Sequence, residues 1–114
     1  KTKLLAQSRF VVMPSRYETF GIAAIEAMAA GRPVICFNID HLNEVAMPPW
    51  AIHVKPFDVD ALGVAVVDLW RDPRSSMRMG ELARKRAESY RWDAIARQQE
   101  EFYFQVLSTD HAKA

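Results

Sequence analysis

Three short apolar runs punctuate the first half of the chain. Phe10-Val11-Val12-Met13, set between Arg9 and Pro14-Ser15, shows no polar alternation; such a run predicts a strand covered on both faces, as in a parallel sheet. Val34-Ile35-Cys36-Phe37 repeats the pattern after Pro33, and Ala51-Ile52-His53-Val54 repeats it more weakly before Pro56. Between the first two runs lies Gly21 to Ala30, where Ile22, Ile25 and Ala29 share one helical face and Gly31 followed by Pro33 marks a stop. Strand, helix, strand in this order predicts a right-handed crossover.

The second half reads as helical throughout. Asp58 is placed to cap a helix running to about Trp70, with Leu62, Ala65, Val66 and Leu69 facing inward. Asp72-Pro73 offers another cap with proline in the first helical position. Met77, Gly80, Leu82, Ala83 and Ala87 extend that helix towards Tyr90-Arg91, with a break expected near Gly80. Trp92, Ile95, Phe102 and Val106 are spaced for a last amphipathic helix. The expected fold class is therefore α/β: a Rossmann-like three-layer domain over residues 1–107, with a small parallel sheet of about three strands and C-terminal helices. Residues 108–114 are small and polar and are expected to fray.

Composition narrows the possibilities. At 114 residues the chain holds one domain, and its 15 Lys and Arg against 14 Asp and Glu leave a formal charge of +1, so no global field draws it to nucleic acid. Cys36 is the only cysteine, which excludes an internal disulfide and a multi-cysteine metal site and fits a reducing, cytoplasmic setting. No apolar stretch approaches the 18 or so residues of a membrane helix; Gly21 to Ala30 has ten and carries Glu26. Arg71 to Arg91 carries seven basic residues against three acids, a face able to touch anionic lipid peripherally. The plainer reading is a solvated helix face with Met77 and Leu82 turned to the core. The chain opens Lys1-Thr2-Lys3 without an initiator Met, so a piece of a longer protein is expected.

The richest stretch is Pro14 to Phe37, because it puts polar groups at the carboxyl end of a buried strand and the amino end of the next helix. Ligands of open α/β sheets bind at that edge. Phe20-Gly21 opens the helix, whose free N–H groups suit a phosphate or sugar oxygen. Glu18 stands at the helix mouth and Glu26 eight positions on; carboxylates accept hydrogen bonds from the paired hydroxyls of sugars. The alternatives are a first-turn acid favoured by the helix dipole for Glu18 and a solvated helix position for Glu26.

Glu18-x-Phe20-Gly21, then Glu26-Ala27-Met28-Ala29, then Gly31-x-Pro33-Val34-Ile35 resembles the two-glutamate signature of the group 1 (family 4) retaining glycosyltransferases of the GT-B fold. Asp72-Pro73, Gly80 and Tyr90-Arg91-Trp92 resemble the helical ending of the same enzymes. The resemblance implies part of a C-terminal, nucleotide-sugar-binding domain, in enzymes that include those of polysaccharide biosynthesis. It implies that Glu18 approaches the donor sugar as the catalytic residue, that Phe20, Gly21 and Ile22 bind donor through backbone N–H groups, and that Glu26 binds the ribose hydroxyls. It further implies a sugar, lipid-linked or other acceptor and an N-terminal domain upstream of Lys1. No cofactor and no metal is expected.

The chain departs from the family pattern at Asn38-Ile39-Asp40-His41-Leu42-Asn43-Glu44. Glu44 matches the family's helix-opening glutamate, but Asp40 and His41 stand where a glycine pair is usual, and their side chains narrow the space glycines would leave. That departure motivates the alternative reading of a non-catalytic binding or interaction module derived from the same fold. Asp58-Val59-Asp60 has the D-x-D form of a cation site, yet it coincides with a helix start, where Asp58 caps and Asp60 meets the dipole. His41, His53 and His111 lack ligand spacing.

Overall fold

The computed structural model describes residues 2–90 and 99–108. The element order is α1 (Thr2–Gln7), β1 (Val11–Met13), α2 (Ile22–Ala29), β2 (Val34–Phe37), α3 (Leu42–Val45), β3 (Ala51–Val54), α4 (Val59–Trp70) and α5 (Pro73–Ala87), closed by a 3-10 turn at Glu88–Tyr90. The three strands form one parallel sheet in the order β1-β2-β3, with Val12 beside Ile35 and Ile35 beside Ile52. The expected α/β class and small parallel sheet are present.

β2 is the centre of the molecule, with all four residues buried. Its alternating side chains feed two cores. Val34 and Cys36 join Met13, Ala24, Ala27, Met28, Leu42 and Ala83 on the α2–α5 face, whereas Ile35 and Phe37 join Val54, Leu62 and Leu69 beneath α4. Burial pushes the Cys36 thiol up to about 11, so it stays neutral and behaves as a small apolar side chain. β1 does not match the expectation of a strand covered on both faces. It lies at the edge of this sheet and Val12 is 37% exposed. Phe10 falls just before it and packs edge-on against Trp70, with ring centroids 6.4 Å apart.

The buried face of α2 is Ala24, Ala27 and Met28, with Ile25 partly covered. The predicted face of Ile22, Ile25 and Ala29 is rotated away from this one, and Ile22 is 52% exposed. The reason is that α5 lies close against α2, and only small residues admit a second helix at that distance. α2 ends as predicted. Gly31, at φ 74°, donates its N–H to Met28 O at 2.9 Å while Arg32 N reaches Ala27 O at 2.9 Å, the paired bonds of a Schellman cap.

α4 and α5 begin where expected. The Asp58 carboxylate accepts from Ala61 N at 2.9 Å and that of Asp72 from Ser75 N at 3.1 Å, with Pro73 at the first helical position. The Ser75 hydrogen bonds hold the Asp72 carboxyl below its ordinary range. Leu62 and Leu69 are buried with Ala65 and Val66 beside them, as predicted. α5 is unbroken at Gly80. That glycine is buried, and a Cβ there would collide with the carbonyl oxygen of Gly31 and stand 3.6 Å from Pro33 Cδ, so it serves close packing and not a kink. Ser76, Gly80, Ala83 and Ala87 make the inner face. Met77 and Leu82, expected in the core, are 69% and 40% exposed, because the heptad stripe that faces α2 is the one bearing the smallest residues.

α1 was not apparent in the sequence, where Leu4 and Leu5 alone make no periodic pattern; Arg32 holds its end by donating to Leu5 O at 3.0 Å and Ala6 O at 2.9 Å. Residues 99–108 are helical and exposed, so Ser108 continues a helix. Trp92, Ile95 and residues 109–114 lie outside the described residues.

Two substitutions test this packing. Gly80→Ala gains about 0.5–1 kcal/mol of helix propensity but drives a methyl into a backbone carbonyl, which moves only with the α2–β2 turn. Overpacking costs roughly 1–3 kcal/mol, so a net loss of stability is expected in chemical denaturation. Gly31→Val meets mainly the movable end of Arg84, yet its positive φ should cost on the order of 1–2 kcal/mol; an unchanged denaturation midpoint would contradict the cap.

Candidate functional site

The carboxyl ends of β1, β2 and β3 open onto three loops, as a parallel sheet requires. Between them lies a cleft of about 410 Å³ lined by Arg16, Tyr17 and Glu18 after β1, Asn38, Ile39, Asp40 and His41 after β2, and Pro56 and Phe57 after β3. Each loop contributes chemistry to one concavity.

Glu18 is half-buried in the loop before α2, and its Oε1 accepts from Gly21 N at 3.3 Å. Gly21 caps α2 with φ 66°, a left-handed conformation that glycine adopts without cost. Its Cα faces Val45 and Leu42, 3.5–3.8 Å from where a Cβ would stand. Having no side chain, it offers the first-turn N–H groups no acceptor. The helix mouth thus presents donors beside the Glu18 carboxylate.

Of the predicted site residues, Glu18 alone lines the cleft. Gly21 is buried and Phe20 and Ile22 have exposed side chains, and none of the three lines the cleft. Glu26 is half-buried one turn further along α2, outside the cleft lining. Asp58 is engaged as a helix cap and His53 Nε2 contacts Ala46 O. Among the described residues no three His, Cys, Asp or Glu side chains gather to hold a metal.

Arg16, Tyr17, Asn38, Pro56 and Phe57 were not signalled by the sequence. They meet because their strands are adjacent, and only the position of each just after an apolar run could have pointed to them. Asn43 Nδ2 donates to Asn38 Oδ1 at 3.1 Å and Asn38 N to Val54 O at 2.8 Å, bracing the β2 loop against β3. The Arg16 guanidinium lies 5.4 Å from the Phe57 ring centre, and Phe57 packs edge-on against Phe37.

Both non-glycine residues with positive φ among the described residues line this cleft: His41 at φ 69° and Phe57 at φ 68°. His41, with ψ −50°, sits near the rare, strained γ-turn region at the N-cap of α3 and makes no side-chain cap. Such a conformation costs about 1–3 kcal/mol. His41→Gly should remove most of that, against about 0.5–1 kcal/mol of added unfolded-chain entropy, so a net gain near 1 kcal/mol is expected. A higher thermal midpoint checks it; a lower one would show that the imidazole supports the fold.

Residues 1–86 match the family model described as glycosyl transferases, group 1. The chain is 36% identical over 108 residues to the MMP alpha-(1->4)-mannosyltransferase of Mycolicibacterium hassiacum, covering 92% of this chain and 26% of that protein. It is 37% identical over 95 residues to the glycogen synthase of Mycobacterium tuberculosis, covering 82% and 23%. Among solved structures, sucrose-phosphate synthase from Thermosynechococcus elongatus superposes with a TM-score of 0.81 at 37% identity, over 87% of this chain and 26% of that one. TarM, at a TM-score of 0.77 and 24% identity, shares the fold. The chain spans about a quarter of the length of these relatives. With two thirds and more of its residues matched to one family, and the sheet-edge cleft where such folds bind ligands, this chain belongs to the group 1 glycosyltransferases.

Proposed function

We propose that this chain is the donor-binding part of a two-domain enzyme that takes a glycosyl group from a nucleoside diphosphate sugar and passes it to an acceptor with retention at the anomeric carbon. The observation that carries the reading is the Glu18 carboxylate, held beside the N-terminus of α2 and lining the cleft at the carboxyl edge of a parallel sheet. Sugar hydroxyls donate to Glu18, which orients the glycosyl unit. The N–H groups at the start of α2 face the phosphates, and Glu26 accepts from the ribose hydroxyls. Catalysis then comes from placing the donor and from stabilising charge on the departing diphosphate. No metal takes part in this scheme. The acceptor site and the cationic groups that meet the diphosphate belong to the other parts of the two-domain enzyme, and the reaction runs in the cytoplasm.

The chain by itself is therefore expected to turn over no nucleotide sugar, and sugar transfer by the purified 114 residues in a radiolabel assay would overturn the two-domain scheme. In the complete enzyme, Glu26→Ala should weaken donor binding by roughly 1.5–3 kcal/mol, the scale of hydrogen bonds to a charged group, or about ten- to a hundred-fold. The loss should shrink with a 2′-deoxyribose donor, because one partner hydroxyl is already gone. Glu18→Ala should lower turnover more than it weakens binding of the nucleoside diphosphate. Calorimetric titration with ribo and deoxyribo donors distinguishes these outcomes. Equal affinities across the set would end the ribose assignment, and no binding by the wild type would favour a non-catalytic module.

A further inference from the structure

His41 carries an imidazole that the fold does not use. The residue is exposed and lines the cleft with Glu18, and its ring makes neither a cap bond nor any other hydrogen bond among the described residues. Its backbone nevertheless holds a positive φ that glycine would adopt freely. Strain kept at a position where the side chain makes no hydrogen bond to the fold points to a role towards a ligand. The neighbouring loop is braced around it: Glu44 N donates to His41 O at 3.2 Å and Asn43 N to Ile39 O at 3.0 Å, so the ring is carried on a fixed backbone.

The chemistry of the lining identifies the part of the ligand it meets. Two carboxylates, Glu18 and Asp40, face the cleft against one guanidinium, Arg16. That balance disfavours a diphosphate resting there, whereas hydroxyls donate to carboxylates and both donate to and accept from an imidazole. We propose that His41 is a specificity-determining residue, whose ring hydrogen-bonds a hydroxyl of the glycosyl unit held by Glu18 and thereby selects between donor sugars that differ at that carbon. The assignment rests on the donor-binding reading of the same cleft. A donor that presents a hydroxyl to the ring gains a hydrogen bond that a donor differing at that carbon forgoes.

The test uses the complete enzyme as wild type, His41→Gly and His41→Asn. Asparagine keeps a donor and an acceptor, so of the two variants only His41→Gly loses the hydrogen bond. Nucleoside diphosphate glucose, galactose and mannose serve as donors, with the sugar-free nucleoside diphosphate as control. In His41→Gly the ratio of kcat/KM between the best and second-best donor should fall roughly tenfold, the worth of one such bond. Affinity for the nucleoside diphosphate should stay unchanged, and His41→Asn should keep most of the preference. A ratio unchanged in His41→Gly, or lost equally in both variants, would overturn the role of the ring. Failure of the wild type to bind any of these nucleotides would instead remove the donor-binding reading, and the His41 assignment with it.

Discussion

Two cores share one strand. Because β2 is flanked by β1 and β3 and roofed by helices on both faces, each of its residues must be apolar and each must fit a different environment. Val34 and Cys36 meet the small-residue layer of α2 and α5, while Ile35 and Phe37 meet the larger aliphatics of α4. Val34, Ile35 and Cys36 pair with β1 and all four of its residues pair with β3 in the parallel ladder. A polar side chain in this strand would be buried at a cost unless it found a partner, and the loop that leaves it is tied to β3 by the bond from Asn38 N to Val54 O.

A second constraint acts at the opposite end of α2. The missing side chain of Gly80 lets α5 rest on the Gly31 carbonyl, which sets how deeply the α5 helix seats and hence where α2 runs across the sheet. The Ala24, Ala27 and Ala83 contacts follow from that distance. Rotation of α2 then decides that Ile22 faces outward and that Gly21 sits against Val45 and Leu42. Packing far from the cleft thus fixes the direction in which the α2 N-terminus points.

The cleft itself is where local rules are broken. Most elements agree with their own propensities: Asp58 and Asp72 cap, Pro73 starts a helix, Gly31 ends one. His41 and Phe57 do not, since neither residue type favours a positive φ. Their placement on one concavity, across from a carboxylate, fits the general rule that disagreement between local and global preference concentrates where function demands it.

How much could be read in advance follows from the range of the forces involved. The three strands, the caps of α4 and α5 and the end of α2 were legible in the residues, because apolar runs, capping side chains and turn glycines act over a few positions. The inner face of α2, the exposure of Met77 and Leu82, and the unbroken course of α5 through Gly80 were not. Each depends on which neighbour arrives and how closely, a matter settled between residues distant in the chain. The same holds for the site: Glu18 could be chosen from its motif, but its company of Arg16, Asp40, His41 and Phe57 exists only because a parallel sheet brings three separate strand ends to one edge. Sequence determined the three strands and the extents and caps of the longer helices; the tertiary structure decided the faces, the cleft and the strained histidine, because those arise from contacts that no local pattern encodes.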